Sequence, residues 1–161
     1  MRYSCKVHVS AKLDYGVRAL LELAAAYDPE KPKLIKGEDI SRAQHIPVKF
    51  LEGILTSLRT TGYVVSQRGA DGGYRLAKAP AEIALADVVR ALDGPLAAVR
   101  SERPEEVNYA GAAEHLQEVW VALRAAMRGV LENVTLEDVV KNDLPQHLNE
   151  LLGLPDAWHR R

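Results

Sequence analysis

The sequence predicts a mainly α-helical protein that carries one small β-hairpin. Three observations predict this fold class: apolar residues at helical spacing over most of residues 10–61, a glycine-rich hairpin signal at 68–73, and a long apolar stripe at helical spacing from 112 to 133. The 161 residues fit one domain, or one small domain with a helical arm, and 47% hydrophobic residues are enough to build a core.

The first part of the chain predicts three helices. Apolar residues recur every three or four positions from Ser10 to Tyr27, until an Asp-Pro pair ends the pattern. A shorter helix is expected at 38–44. The tight turn His45-Ile46-Pro47 then leads into a helix at 48–61, with the proline in its first turn and Gly62 as its C-cap.

A change from helical to alternating spacing follows. Residues 63–67 and 74–76 predict two short strands, and the Asp71-Gly72 pair between them is a strong hairpin signal. A helix at 85–92 ends before a charged loop, and the next helix is expected at 112–133. Thr135 resembles the capped start of a last short helix, and the tail from Leu144 is weakly specified.

Charge is divided unevenly between the two halves of the chain. Residues 1–80 carry 13 Lys and Arg against 8 Asp and Glu, whereas residues 81–161 carry 8 against 14. A basic half beside an acidic half indicates that one part meets a polyanion; chance clustering is the alternative. The absence of a signal sequence and of an 18-residue apolar run predicts a cytoplasmic protein without contact to a membrane. A single cysteine, Cys5, excludes an intrachain disulfide.

Helix, tight turn, second helix and glycine-rich hairpin stand in the order of a winged helix-turn-helix. A helix fits the major groove of DNA, with its N-terminal residues facing base edges. Glycines at 69, 72 and 73 remove side-chain bulk from the hairpin, or wing, and permit positive φ. Arg68 and Arg75 flank the tip and are expected to meet phosphate or a narrow minor groove. A purely structural hairpin is the alternative.

Three sequence runs resemble the Rrf2 family of bacterial transcription regulators. They are Ser-Ala-Lys-Leu-Asp-Tyr-Gly-Val-Arg-Ala-Leu-Leu at 10–21, Ile-Pro-Val-Lys-Phe-Leu-Glu at 46–52, and Arg-Gly-Ala-Asp-Gly-Gly-Tyr-Arg-Leu at 68–76. The similarity extends from about Val7 to Val140. The resemblance implies a homodimer that binds a partly palindromic operator in double-stranded DNA, with the long helix in the dimer interface.

The resemblance also implies residue roles. Glu52 is expected to accept a hydrogen bond from cytosine N4, Lys49 to hold phosphate, and Arg68 to enter the minor groove. Phe50 either touches a thymine methyl or belongs to the core. The expected DNA contacts are Ser10, Lys12, Pro47, Lys49, Phe50, Glu52, Arg59, Arg68, Gly69, Gly72, Gly73, Tyr74 and Arg75.

The long apolar stripe is expected to pack against the same helix of a second copy. Packing within the chain's own core is the alternative. The expected interface residues are Leu116, Val119, Trp120, Leu123, Met127 and Val130. The segments are then an N-terminal extension at 1–9, a winged helix-turn-helix domain at 10–95, a sensor-type loop at 96–111, the dimerisation helix with a short helix at 112–143, and a tail at 144–161.

One departure from the family concerns its sensor loop. Many members carry three cysteines there, whereas residues 96–115 of this chain contain none. Because thiolates hold iron–sulfur clusters, we expect no cluster at the usual place, no metal and no cofactor. His115 is then a surface residue of the helix start. Cys5 lies in an extension, Met1 to Lys6, and is expected to be a spectator thiol. The input signal is instead a small-molecule or protein effector.

Two other classes of function are less well supported. A protein-interaction module with a winged fold would not need the basic first half or the wing arginine. An enzyme would need a site, but the glycines lack P-loop spacing and the five histidines are scattered; Glu114 and Glu118 fit a solvated face.

If the chain binds DNA, the substitution Arg68→Ala should weaken operator binding by about 1–3 kcal/mol, whereas Arg124→Ala should have little effect.

Overall fold

The computed structural model describes residues 9–159. Cys5 and most of the predicted N-terminal extension therefore lie outside the described residues. The elements are α1 (Ala11–Ala25), α2 (Gly37–Gln44), α3 (Val48–Thr60), β1 (Val64–Gln67), β2 (Gly73–Leu76), α4 (Leu85–Leu92), α5 (Leu116–Leu131), α6 (Leu136–Lys141) and α7 (Gln146–Leu152). Mostly helical structure with one two-stranded antiparallel sheet confirms the predicted fold class.

Helix α1 lies at the centre of the core. Leu20 and Ala19 are completely buried, because α2, α3, α4 and α6 pack around α1. Leu136 at the start of α6 is equally buried in this core. Thus α6, although it follows the long helix in sequence, returns to the same body as the winged helix-turn-helix.

Both ends of α3 are fixed by local chemistry. His45 ends α2 in the left-handed region, at φ 52°, and Pro47 stands at the N-cap of α3, one position earlier than predicted. At the other end Gly62 adopts φ +82°, which favours glycine, and the Tyr63 amide donates to the Leu58 carbonyl at 2.9 Å. The predicted turn is confirmed, whereas the C-cap of α3 is Thr61 and Gly62 is the residue that follows it.

The wing has the predicted strands, and its glycines serve three different purposes. Gly69 and Gly73 have positive φ, at +110° and +154°, whereas Gly72 does not. A Cβ on Gly72 would lie 2.3 Å from the Gln67 carbonyl oxygen, and one on Gly73 would lie 2.6 Å from that of Ile35. Gly72 is therefore required by the hairpin's own packing and Gly73 by the close approach of Ile35 before α2, and of these three glycines only Gly69 has open space around it.

The region after α4 leaves the core and comes back to it. Helix α5 begins at Leu116 rather than at residue 112, because Gly111 takes φ +62° and starts a separate 3-10 turn. No residue of α5 is fully buried. Beyond α5, the Leu85 amide donates to the Val134 carbonyl at 2.8 Å, and the Leu136 amide to that of Ile83 at 3.0 Å. The weakly specified tail contains a further helix, α7.

Candidate nucleic-acid interface

Helix α3 buries one face and exposes the other. Its buried residues, Leu51, Ile54, Leu55 and Leu58, hold the helix against the core. The opposite face carries exposed residues at spacings of four, three and four, which follow the helical repeat. These outward residues are Lys49, Gly53, Thr56 and Thr60.

A groove separates α3 from the wing. It encloses about 490 Å³ and is open to solvent on one side. Glu52 and Arg59 line it from α3, while Arg68, Gly69 and Tyr74 line it from the wing. Lys36 and Gly37, at the start of α2, complete it. The structure thus brings several predicted contact residues of α3 and the wing to one surface.

Three charged side chains of α3 and the wing are available to a ligand. Lys49, Glu52 and Arg68 are exposed, and no ion-pair partner for any of them occurs within residues 9–159. The Arg59 guanidinium donates a long hydrogen bond, 3.3 Å, to the Ser66 hydroxyl. Cations that are not neutralised within the chain can neutralise phosphates.

Arg75 lies apart from the groove. It lines a separate cavity of about 150 Å³ with Leu23, Tyr27 and Lys33, between the end of α1 and strand β2. Its guanidinium donates to the Leu76 carbonyl at 3.3 Å. The structure therefore does not bring Arg75 together with Arg68, although the two arginines flank the same tip in sequence.

Ser10 and Lys12 already have partners in the chain. The Ser10 hydroxyl accepts from the Leu13 amide at 3.0 Å, which caps α1, and donates to Asp93 at 2.6 Å. The Lys12 ammonium donates to the Leu92 carbonyl at 3.0 Å, at the C-terminal end of α4. A lysine at this position is stabilised by the helix dipole. A DNA phosphate that binds Ser10 or Lys12 would compete with the contacts that these side chains make to Asp93 and Leu92.

Phe50 is not part of the core, because 64% of it is exposed. It meets Tyr15 of α1, with ring centroids 6.4 Å apart, and the Arg18 guanidinium lies 5.2 Å from the centroid of the Tyr15 ring. Arg18 also donates to the backbone carbonyl of Gln44, the last residue of α2. These contacts connect α1 with the end of α2 and with α3.

Sequence reasoning missed Gly53, Thr56 and Thr60 as candidate contacts. It named Lys49, Phe50 and Glu52 at the start of the helix and Arg59 near its end, whereas the exposed face also continues between them. The signal was present, because positions four, seven and eleven after Lys49 share its face. The hydroxyls of Thr56 and Thr60 donate to the carbonyls of Glu52 and Thr56, at 2.8 and 2.9 Å.

The loop before α5 packs against that helix. Pro104 and Val107 are buried, and the Trp120 indole donates to the Tyr109 hydroxyl at 3.0 Å. Arg124 forms an ion pair with Glu105, and only 12% of its side chain is exposed. Arg124 is thus unsuited as the neutral surface control that the sequence suggested. His115 is 85% exposed at the N-cap of α5, which confirms its surface position.

The residues of this loop do not fit an iron–sulfur cluster. Cluster iron requires thiolates, and residues 96–115 contain no cysteine. Within residues 9–159 there is also no group of three or more His, Cys, Asp or Glu side chains that is arranged to hold a metal ion. Glu114 and Glu118 are exposed, as expected for a solvated face.

Comparisons with known proteins show which family the chain is similar to. Residues 9–142 match the family model described as "Rrf2: Iron-dependent Transcriptional regulator". A protein of Mycobacterium tuberculosis, named as a putative HTH-type transcriptional regulator, is 47% identical over 145 residues, covering 90% of this chain and 88% of that protein. The regulator CymR of Bacillus subtilis is 34% identical over 131 residues, covering 81% of this chain and 88% of CymR.

Solved structures show the same architecture. The structure of CymR described as the global cysteine regulator of B. subtilis superimposes with a TM-score of 0.70 at 32% identity, over 84% of this chain and 97% of that one. IscR of T. potens gives 0.66 at 28% identity, over 89% and 96%. In the part of this chain that the structure describes, no helix is long and apolar enough to cross a membrane.

The sequence match, the shared architecture and the exposed helix-and-wing surface lead to one conclusion: this chain belongs to the Rrf2 family of bacterial DNA-binding transcriptional regulators.

Proposed function

We propose that the chain acts as a homodimeric repressor that binds a partly palindromic operator through α3 and the wing. The observation that carries this proposal is the groove between these two elements, which is lined by Glu52 and Arg68. Both side chains are exposed, and neither has an ion-pair partner within the described residues. In the proposed complex α3 enters the major groove, Glu52 reads a cytosine N4 group, and Arg68 follows the backbone into the minor groove.

The apolar stripe of α5 supports the homodimer. Val119 is 54% exposed, and Trp120, Leu123, Met127 and Val130 are only half-buried within their own chain. A helix of 16 residues is about 24 Å long, so its apolar face is too extensive to remain in water. The same helix of a second copy offers a complementary face, and two-fold symmetry then matches the two half-sites of an operator.

The proposed effector is a small molecule or a partner protein rather than a cluster held by cysteines in the loop. The absence of cysteine from residues 96–115 supports this proposal, and so do the contacts that fix the loop on α5. A visible absorption spectrum of anaerobically purified protein tests this proposal. Visible absorbance that rises in proportion to the protein concentration would contradict the proposal.

The experiment that tests DNA binding starts from duplexes that the full chain selects from its host genome. Affinity for a selected duplex should fall steeply as the salt concentration rises, because phosphate-bound cations are released. A reporter gene behind the duplex should be expressed less when the protein is present. Affinity that does not change with salt, or the absence of any selected fragment, would contradict the proposal.

A further inference from the structure

Gly53 occupies an unusual position in the middle of α3. Glycine lowers the stability of a helix relative to alanine, because it loses more backbone freedom on folding. A glycine in the interior of a helix therefore needs a reason, either in the packing of the protein or in its function. Gly53 is exposed, although Leu51 and Ile54 close to it in sequence are buried.

The packing of this chain gives no reason for Gly53. A Cβ placed there would meet no atom within 4 Å, and the residue has ordinary helical geometry. Gly16 in α1 is the contrast, because a Cβ there would lie 2.2 Å from a methyl carbon of Leu92. Gly16 is required by the contact between α1 and α4, whereas Gly53 leaves space that nothing in the described part of the chain fills.

Gly53 also lies on the part of α3 that faces a bound duplex. It shares the outward face with Lys49 and Thr56, one turn on either side. Its carbonyl accepts the Ser57 hydroxyl at 3.1 Å. Because glycine has no side chain, Gly53 cannot hydrogen-bond to a base edge. It leaves empty space on the surface of the helix instead.

We propose that Gly53 is a specificity-determining residue, and that its missing side chain leaves room for the methyl group of a thymine in the operator. In the major groove, the thymine methyl is the apolar group that projects from the base edges toward a bound helix. The inference rests on the proposed placement of α3 in the major groove.

The test combines Gly53→Ala with thymine-to-uracil replacement, which removes only the methyl group. The probe is a duplex selected by the full chain from a randomised pool. Gly53→Ala should raise the melting temperature by about 2–4 °C and weaken binding to this duplex roughly tenfold. When uracil replaces the thymine at one position and its symmetry mate, the variant should recover most of that loss.

Gly129→Ala is the matched control. Gly129 also lies inside a helix and is exposed, and a Cβ placed on it would meet no atom within 4 Å. This substitution should raise the melting temperature similarly and leave DNA affinity unchanged. A structural explanation of Gly53 would predict the same result for both variants.

The outcomes separate this inference from the proposed function. If Gly53→Ala binds as tightly as the parent, or if its loss is the same on every uracil-substituted duplex, the inference is wrong. It is also wrong if Gly53→Ala destabilises the protein. If Lys49→Ala and Arg68→Ala weaken binding in these cases, the proposed placement of α3 still holds; if neither does, that placement is wrong as well.

Discussion

Trp120 of α5 donates a hydrogen bond from its indole nitrogen to the hydroxyl of Tyr109, 3.0 Å away. The bond joins the loop before α5 to the helix itself. Arg124 and Glu105 make a second connection between the same two segments. In this protein, side-chain contacts fix the loop.

Removing the Tyr109 hydroxyl should loosen this connection. Tyr109→Phe keeps the ring but leaves the Trp120 N–H without its partner, so the free energy of unfolding should fall by about 0.5–1.5 kcal/mol. Thermal unfolding measures the effect. Tyr27→Phe is the control, because no hydrogen bond of its hydroxyl occurs among the described residues, and its stability should be unchanged. Equal losses in the two variants would contradict the role of the bond.

Arg68→Ala should weaken operator binding by about 1–3 kcal/mol and reduce the slope of log affinity against log salt by about 1. The physical reason is the loss of an exposed cation at the wing. Fluorescence anisotropy on a selected duplex at several salt concentrations gives both quantities. Arg103→Ala removes the same charge from the loop and should change little. If both variants lose the same affinity, the wing is not a specific contact.

Val119→Glu should separate the proposed dimer. A carboxylate in the middle of the apolar stripe would be buried without a partner, which is costly, whereas in a monomer it is solvated. Sedimentation equilibrium should give half the mass of the parent protein. Ala125→Glu places the same charge on the opposite, exposed side of α5 and should leave the mass unchanged. A dimer that survives Val119→Glu must use another surface.

The ion pair between Glu105 and Arg124 should be visible in the pH dependence of stability. A hydrogen bond from its own backbone amide, together with the Arg124 guanidinium, lowers the pKa of the Glu105 carboxyl. A lowered pKa means that the folded state favours the charged form. The stabilisation is therefore present above the ordinary pKa and is lost as the pH falls through the lowered one.

Glu105→Gln removes this dependence. The parent should melt at a higher temperature than the variant at neutral pH, and the difference should shrink as the pH is lowered into the acidic range. Glu106→Gln, at a neighbouring exposed position without an ion-pair partner in residues 9–159, provides the comparison. A difference between parent and Glu105→Gln that is constant with pH would contradict the role of the ion pair.

Local chemistry explains why much of the fold could be predicted from the sequence. The bounds of α4 agree with the apolar pattern at 85–92, and the ends of α3 follow from Pro47 and Gly62. These elements depend on neighbouring residues, which the sequence displays directly. The start of helix α5 was predicted too early, because the apolar pattern does not show that Gly111 adopts a positive φ and begins a separate 3-10 turn. Helix α7 was missed because its pattern is short and it has no side-chain cap at its N-terminus.

Predicting the site was harder, because it depends on contacts between distant segments. Glu52 and Arg68 do line one groove, although the two residues belong to different elements of the chain. Arg75 and Lys12 could not be assigned in this way. Nothing in the local sequence shows that Arg75 lies in a separate cavity, or that the Lys12 ammonium binds a carbonyl 80 positions further along.

The backbone bonds that join Val134 to Leu85 and Leu136 to Ile83 have a mechanical consequence. The stretch that contains α5 starts after α4 and returns through these bonds, so both of its ends are attached to the core that α1 and α3 belong to. If two copies associate along α5, neither core can rotate freely about a single hinge. The distance between the two copies of α3 is then determined by the fold, and so is the spacing of half-sites that one dimer can occupy without bending the DNA.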